Sequence, residues 1–354
     1  MNIKCRQQKG FSIVELMVGT FVGLILSYAV LQIYLAQTQT YKTSNSQALI
    51  QSTENAIVSI VTPIIRSTGF SGCGTLISAV SNLNAGGPNP IGMINTTPTL
   101  IMGYNGGSTS IILQSNAAND TNTNDWSPAL DGSLAGSVEK GSDALIVLGA
   151  APNSNPITIT SINNGASILT LQGTNGTSIN QGQLAAVSDC AKTIVFNVSG
   201  INGTSISHTA GLGALNNANS NFSINFQAGS QFIPLQQTAF FVAQGPGGQS
   251  ALMRATLNGT SWNIQPIVPG VEIMKVQYGI GSGGTVNQYV TADAVTNWSQ
   301  VYAVRLGFLI AGQIGSGNVV STPFSILGTS VKAPADSRIR HVLEITINLR
   351  NALT

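Results

Sequence analysis

The sequence predicts an α+β chain in which one long N-terminal helix packs on a β-rich, antiparallel globular head. Three observations carry that expectation. The run from Phe11 to Ala36 is apolar, with Glu15 as its sole charge. A polar, amphipathic stretch continues it. Beyond about residue 140, short runs of alternating apolar and polar residues are separated by Asn-Gly turns. Composition agrees. Lys and Arg number 14 and Asp and Glu 12 in 354 residues, about 7% charged, against roughly 25% in an ordinary soluble domain. Mean hydropathy is +0.24, so charge does not keep the chain unfolded. A formal net charge of +2 provides no clustered basic surface, so no nucleic acid is read among the partners.

The first element is a span. Residues 1–10 carry Lys4, Arg6 and Lys9, and at 1.5 Å per residue the 26 positions after them reach roughly 39 Å, enough to cross a ~30 Å hydrocarbon core. The basic head predicts a cytoplasmic N-terminus and an exported remainder. Glu15 is anomalous there, because an acid in a membrane span costs about 2.5–3.5 kcal/mol and marks a functional position by default. Near the membrane edge it has the alternative of snorkelling to water. Gly19 and Gly23 form a G-x-x-x-G that permits close helix approach, or are simply small residues of a membrane helix.

The helix then continues through residues 37–68, with Leu49, Ala56, Ile57, Ile60 and Ile64 on one face. Pro63 is expected to kink or end it, with Gly69 the other stop. Residues 69–354 form the head. Hairpins are expected in 156–173, in 190–208 around Asn202-Gly203, and in 251–268 around Asn258-Gly259. Further strands are expected at 144–149, 273–280, 300–311 and 340–350, with a helical turn over 291–297. The stretches 81–99, 115–135 and 211–220 read as surface loops.

The string KGFSIVELMV (9–18) resembles the prepilin signal of type IV pilins and of type II secretion pseudopilins. The resemblance implies a leader of residues 1–10, cleavage after Gly10 by prepilin peptidase, and methylation of the new amino group on Phe11. It also implies that Glu15 pairs with the terminal amine of a neighbouring subunit during assembly. Further along come GFSGC (69–73), SDALIVLGA (142–150), VSDC (187–190), LMRATL (252–257), PGVEIMKVQYGI (269–280), TADAVTNWSQVYAVRLGFLI (291–310) and DSRIRHVLEITINLRNAL (336–353). This order is similar to the PilW family of type IV minor pilins, relatives of the J-type minor pseudopilin. The implied partners are other minor pilins, the major pilin, an inner-membrane assembly platform and the membrane itself. The implied location is the inner membrane, with a periplasmic head, and then the fibre, near its tip. A secretion pseudopilin and a tip adhesin binding through the 75–140 loops are the rival readings.

Of the three cysteines, Cys5 leaves with the leader. Compartment and family motif then favour a disulfide between Cys73 and Cys190 over two free thiols. Loss of the leader also leaves 11 basic against 12 acidic side chains. No catalytic constellation is legible. His208 and His341 stand alone, no G-x-S-x-G or H-E-x-x-H occurs, and no cofactor is expected. Asp120, Asn122, Asn124 and Asp131 fall at calcium-loop spacing, but Asp125 replaces the glycine and Asp131 the bidentate Glu, so a solvated loop is the alternative. Arg338, Arg340 and Arg350 form a partner-facing patch, pair with Asp336 or Glu344, or are simply solvent-exposed.

Overall fold

The computed structural model describes residues 10, 12–84, 100–107, 109–114, 118–174, 176–318 and 323–352. A single helix, α1 (Ile13–Arg66), runs 54 residues. Its last turns meet the head along Ser46, Ile50, Thr53, Ile57, Val61 and Ile65, a stripe at three- and four-residue steps. The stripe is turned relative to the one read from the sequence. Leu49 is exposed, and Ala56, Ile60 and Ile64 lie at its flank. Pro63 does not end the helix. It sits in the last turn, where it forfeits one amide hydrogen bond, and Ile65 beyond it is wholly buried. The Ser67 amide donates to Pro63 O at 3.0 Å, and Gly69, at φ +80°, takes the chain out of the helix through a conformation costly for any residue with a Cβ.

The head holds two principal sheets. The larger is built around the strand Gln231–Gln244, the longest in the molecule's described part. Up to Pro234 this strand pairs with Leu184–Ser188, and after it with Ala144–Ala150 and Ser250–Asn258. The proline, which has no amide to donate, thus stands where the partners change. The second sheet runs in the order Thr285–Val290, Val271–Ser282, Val301–Ala311, Arg340–Asn348, antiparallel throughout. Two short pairings elsewhere are parallel, Val80–Ser81 with 194–195 and Ser110–Ile112 with 330–332.

Between the sheets and the helix lies one core, in which Ile57, Val61 and Ile65 join Leu145, Val147, Phe240, Val242 and Phe308. The alternate residues Ile146, Leu148, Ala239 and Phe241 face a second core on the far side of the larger sheet. Period two thus places successive side chains in different cores. This explains why 144–150 reads as an uninterrupted apolar run. The expected hairpins 157–171 and 250–269 form. The third forms only as Gly200–Asn202 with Ser205–Ser207, whereas Thr193–Asn197 pairs with Leu184–Ser188. The loops read as surface are anchored: Trp126, Leu130, Leu134 and Leu215 are buried. Residues 85–99 of the first loop lie outside the described residues.

A buried ion pair joins the two sheets. Lys275 Nζ, on the strand Val271–Ser282, is 2.5 Å from Asp143 Oδ1, and both side chains are 3% exposed or less. The Gly106 and Val276 amides donate to the same carboxylate at 2.9 and 2.8 Å. Burial pushes the Asp143 carboxyl up, and Lys275 with the two amides pulls it back. Removing one partner of such a pair strands the other charge. Lys275→Ala is therefore expected to cost about 3–5 kcal/mol of unfolding free energy in denaturant titration. Lys192→Ala, which breaks the half-exposed pair with Asp189, is expected to cost under about 1 kcal/mol.

A separate lobe around Ile159, Leu169, Phe196 and Ile206 encloses His208. Its ring stacks on Phe222 at 3.9 Å between centroids, and neither ring nitrogen has a partner. Burial holds its pKa down at about 4, against about 6.5 in an unfolded chain. The neutral ring's contribution is complete above pH 6.5 and is lost as pH falls toward 4, by roughly 3 kcal/mol. Subtracting the stability–pH curve of His208→Phe from that of wild type is expected to expose this slope between pH 6.5 and 4.

Candidate functional site

The N-terminal half of α1 touches nothing in the rest of the described structure. Residues 12–37 are all exposed, with Ile13, Leu24 and Val30 between 66% and 79% accessible. Apolar side chains cover the whole circumference of the helix. A helix apolar all round must be covered by lipid or by other protein. It is also long and apolar enough to cross a membrane. Two of its aliphatic hydroxyls are satisfied internally: Thr20 donates to Met17 O at 2.9 Å and Ser27 to Gly23 O at 2.8 Å, as an apolar environment favours.

Glu15 lies in the first turn, where the helix dipole favours an anion, and no ion pair reaches it among the described residues. Gly10 is exposed. Phe11 and the basic residues of 1–9 lie outside the described residues. Gly19 and Gly23 are one turn apart, and a Cβ built on either meets nothing within 4 Å. Their surface is open to a neighbouring helix.

The helix docks on the head from Thr43 onward. Thr43 donates to Ser316 O at 2.8 Å, and the Gln313 amide donates to Ser46 Oγ at 3.2 Å. A Cβ at Gly312 would stand 2.9 Å from that of Ser46, so the close approach at this point requires glycine. Further along, His341 Nδ1 meets the Glu54 carboxylate across the same interface. Sequence reasoning left His341 as a packing or surface residue and missed its partner, 287 positions away.

Cys73 and Cys190 are bonded, with Cα atoms 4.8 Å apart and a sequence separation of 117. The bond ties the turn after α1 to the hairpin 184–197. Closing a loop of that length contributes about 4–5 kcal/mol by the chain-entropy model. In the loop at 120–131, Lys140 Nζ lies 2.7 Å from Asp125 and 3.4 Å from Asp120. Its ammonium occupies the place a cation would take between them. Asn122 bonds Asp125 at 2.6 Å, Asn124 donates its amide to Asn122, and Asp131 is engaged by Ser133. No group of three His, Cys, Asp or Glu side chains is placed to hold a metal among the described residues. Arg340 is bidentate to Glu272 and to Asp336, and Arg338 also pairs with Asp336. That corner is therefore paired internally. Arg305 lies over the Tyr289 ring at 3.9 Å, and Trp298 meets Tyr278 edge-on at 4.9 Å.

The chain thus combines a long helix whose apolar first half is free with a second half laid on an antiparallel head. Residues 239–351 match the family model PilW, described as Type IV Pilus-assembly protein W. The match spans the latter part of the central strand and the whole four-stranded sheet, and bears out the resemblance read from the sequence. No curated protein matches the chain. Among solved structures, a type IV-like pilin from Thermus thermophilus is 22% identical over 34% of this chain and 70% of that one, with a TM-score of 0.24. Over residues 239–351 the chain is thus similar to a type IV pilus-assembly family, and it carries one N-terminal helix long and apolar enough to cross a membrane.

Proposed function

We propose that the chain is a minor pilin that acts in type IV pilus assembly, within a priming complex at the fibre tip. The observation that carries this reading is the exposed apolar half of α1 with Glu15 near its start and no partner for either. Residues 1–10 are the leader, 11–36 the membrane and fibre-core segment, 37–68 the docked continuation and 69–354 the periplasmic head. Prepilin peptidase cleaves after Gly10, and Phe11 becomes the methylated N-terminus. In the inner membrane the helix waits in lipid. On assembly it exchanges lipid for neighbouring helices, with Gly19 and Gly23 on a face that admits close approach.

Electrostatics gives that exchange a direction. Glu15 and the amine of a neighbour's Phe11 are each costly alone in an apolar medium, and each is neutralised by the other across a subunit contact. The other minor pilins, the major pilin and the assembly platform are the partners this mechanism requires. The family description names pilus assembly, which supports a pilus over a secretion pseudopilus.

The reading is tested with Glu15→Ala. The variant is expected to remain in the inner membrane at wild-type abundance. Losing about 3–5 kcal/mol at the subunit contact should lower its incorporation into fibres roughly a hundredfold or more. Wild-type incorporation and normal surface piliation would overturn the role of Glu15.

A further inference from the structure

Among the described residues, two carboxylates are buried in the head, Asp143 and Glu139. Asp143 has Lys275. Glu139 is 8% exposed and bonds to Ser250; among the described residues it meets no cation, and its Oε2 has no hydrogen-bond partner. An anion withdrawn from water without a counter-charge is unfavourable unless something neutralises it. The other acids around it are already satisfied: Glu272 and Asp336 by Arg340, and Asp120 and Asp125 by Lys140.

Glu139 also forms a wall of two clefts, of about 380 and 490 Å³, which share Leu113 and Gln114 as well. Ile314 lines the first and Ile112 the second, and both are 66% exposed. The combination is apolar at the mouth and anionic at the base. A long aliphatic stem ending in a cation complements both parts.

We propose that this double cleft receives a lysine side chain presented by another protein chain, its ammonium on Glu139 and its stem along Leu113 and the exposed isoleucines. Glu272, Asp336 and Arg338 face the site from one cleft, and Asp125 and Lys140 from the other. Arg338 and Lys140 are each held by an acid, so neither competes for Glu139. Burial, opposed by the Ser250 bond and reinforced by the charge of Glu272, brings the Glu139 carboxyl up to about 7. Ammonium binding requires the carboxylate, so it strengthens as pH rises through that value. This inference does not rest on the pilin reading.

The test titrates the full-length chain in detergent micelles with Nα-acetyl-lysine methylamide. Nα-acetyl-norleucine methylamide and n-butylamine serve as comparison probes, with chemical-shift changes as the readout. Saturable binding of the lysine derivative at about millimolar concentration is expected, about tenfold weaker at pH 6 than at pH 8. Norleucine, which lacks the cation, should not saturate. Glu139→Gln should weaken lysine binding at least about tenfold while keeping the wild-type melting temperature or raising it at pH 8. Should that variant fail to fold, the pH dependence of the wild-type chain decides. Absent saturation, binding independent of pH, or binding unchanged in Glu139→Gln would overturn the site. Tighter binding of n-butylamine than of the lysine derivative would overturn its assignment to a protein partner.

Discussion

The docking of residues 43–66 of the helix on the four-stranded sheet is the contact on which the rest of the molecule depends. It buries Ile57, Val61 and Ile65 in the core shared by both sheets and fixes where the free half of the helix begins. The close approach of Ser46 to Gly312 marks the upper edge of that contact. Below it one surface of the helix belongs to the protein; above it the whole circumference is left to lipid or to other chains. A single secondary-structure element therefore serves two solvents, and its sequence changes character between Ala36 and Thr43 accordingly.

Charge is scarce in this chain, and its placement divides by task. Lys275 and Asp143 neutralise each other where the two sheets meet; Arg340 gathers Glu272 and Asp336; Lys140 fills the loop of Asp120 and Asp125. These pairs close within the chain. Glu15 and Glu139 differ, since neither finds a cation in the described structure. One lies in the exposed apolar half of the helix and the other in the wall of a cleft, and each is where the proposals above place an external cation. Neutral Asn, Ser and Thr solvate the remaining surface, consistent with a head that does not depend on a dense charged shell.

Much of the frame was legible in the sequence because its signals were local. The apolar run gave the helix start, Gly69 its stop, and the Asn-Gly dipeptides two hairpins. The failures have physical causes. Leu49 fits the apolar period but points away, because helix rotation is set by the sheet it meets. Pro63 was tolerated because burial of Ile65 holds the final turn. The central strand 231–244 escaped notice because Pro234, Gln236 and Gln237 interrupt it and both its faces are buried, which erases alternation. Lone charges such as Lys275, Asp143 and Glu139 carry no local signature. Their meaning lies in neighbours more than 100 positions away, or in the lack of one.

The central claim is that the free half of the helix becomes a subunit interface after removal of a leader that ends at Gly10. Mass spectrometry of this chain recovered from sheared, purified fibres tests it directly. The account predicts an N-terminal peptide that begins at N-methylated Phe11 and is present in the fibre fraction. Recovery only of chain still carrying residues 1–10, confined to the membrane fraction and absent from fibres, would contradict it.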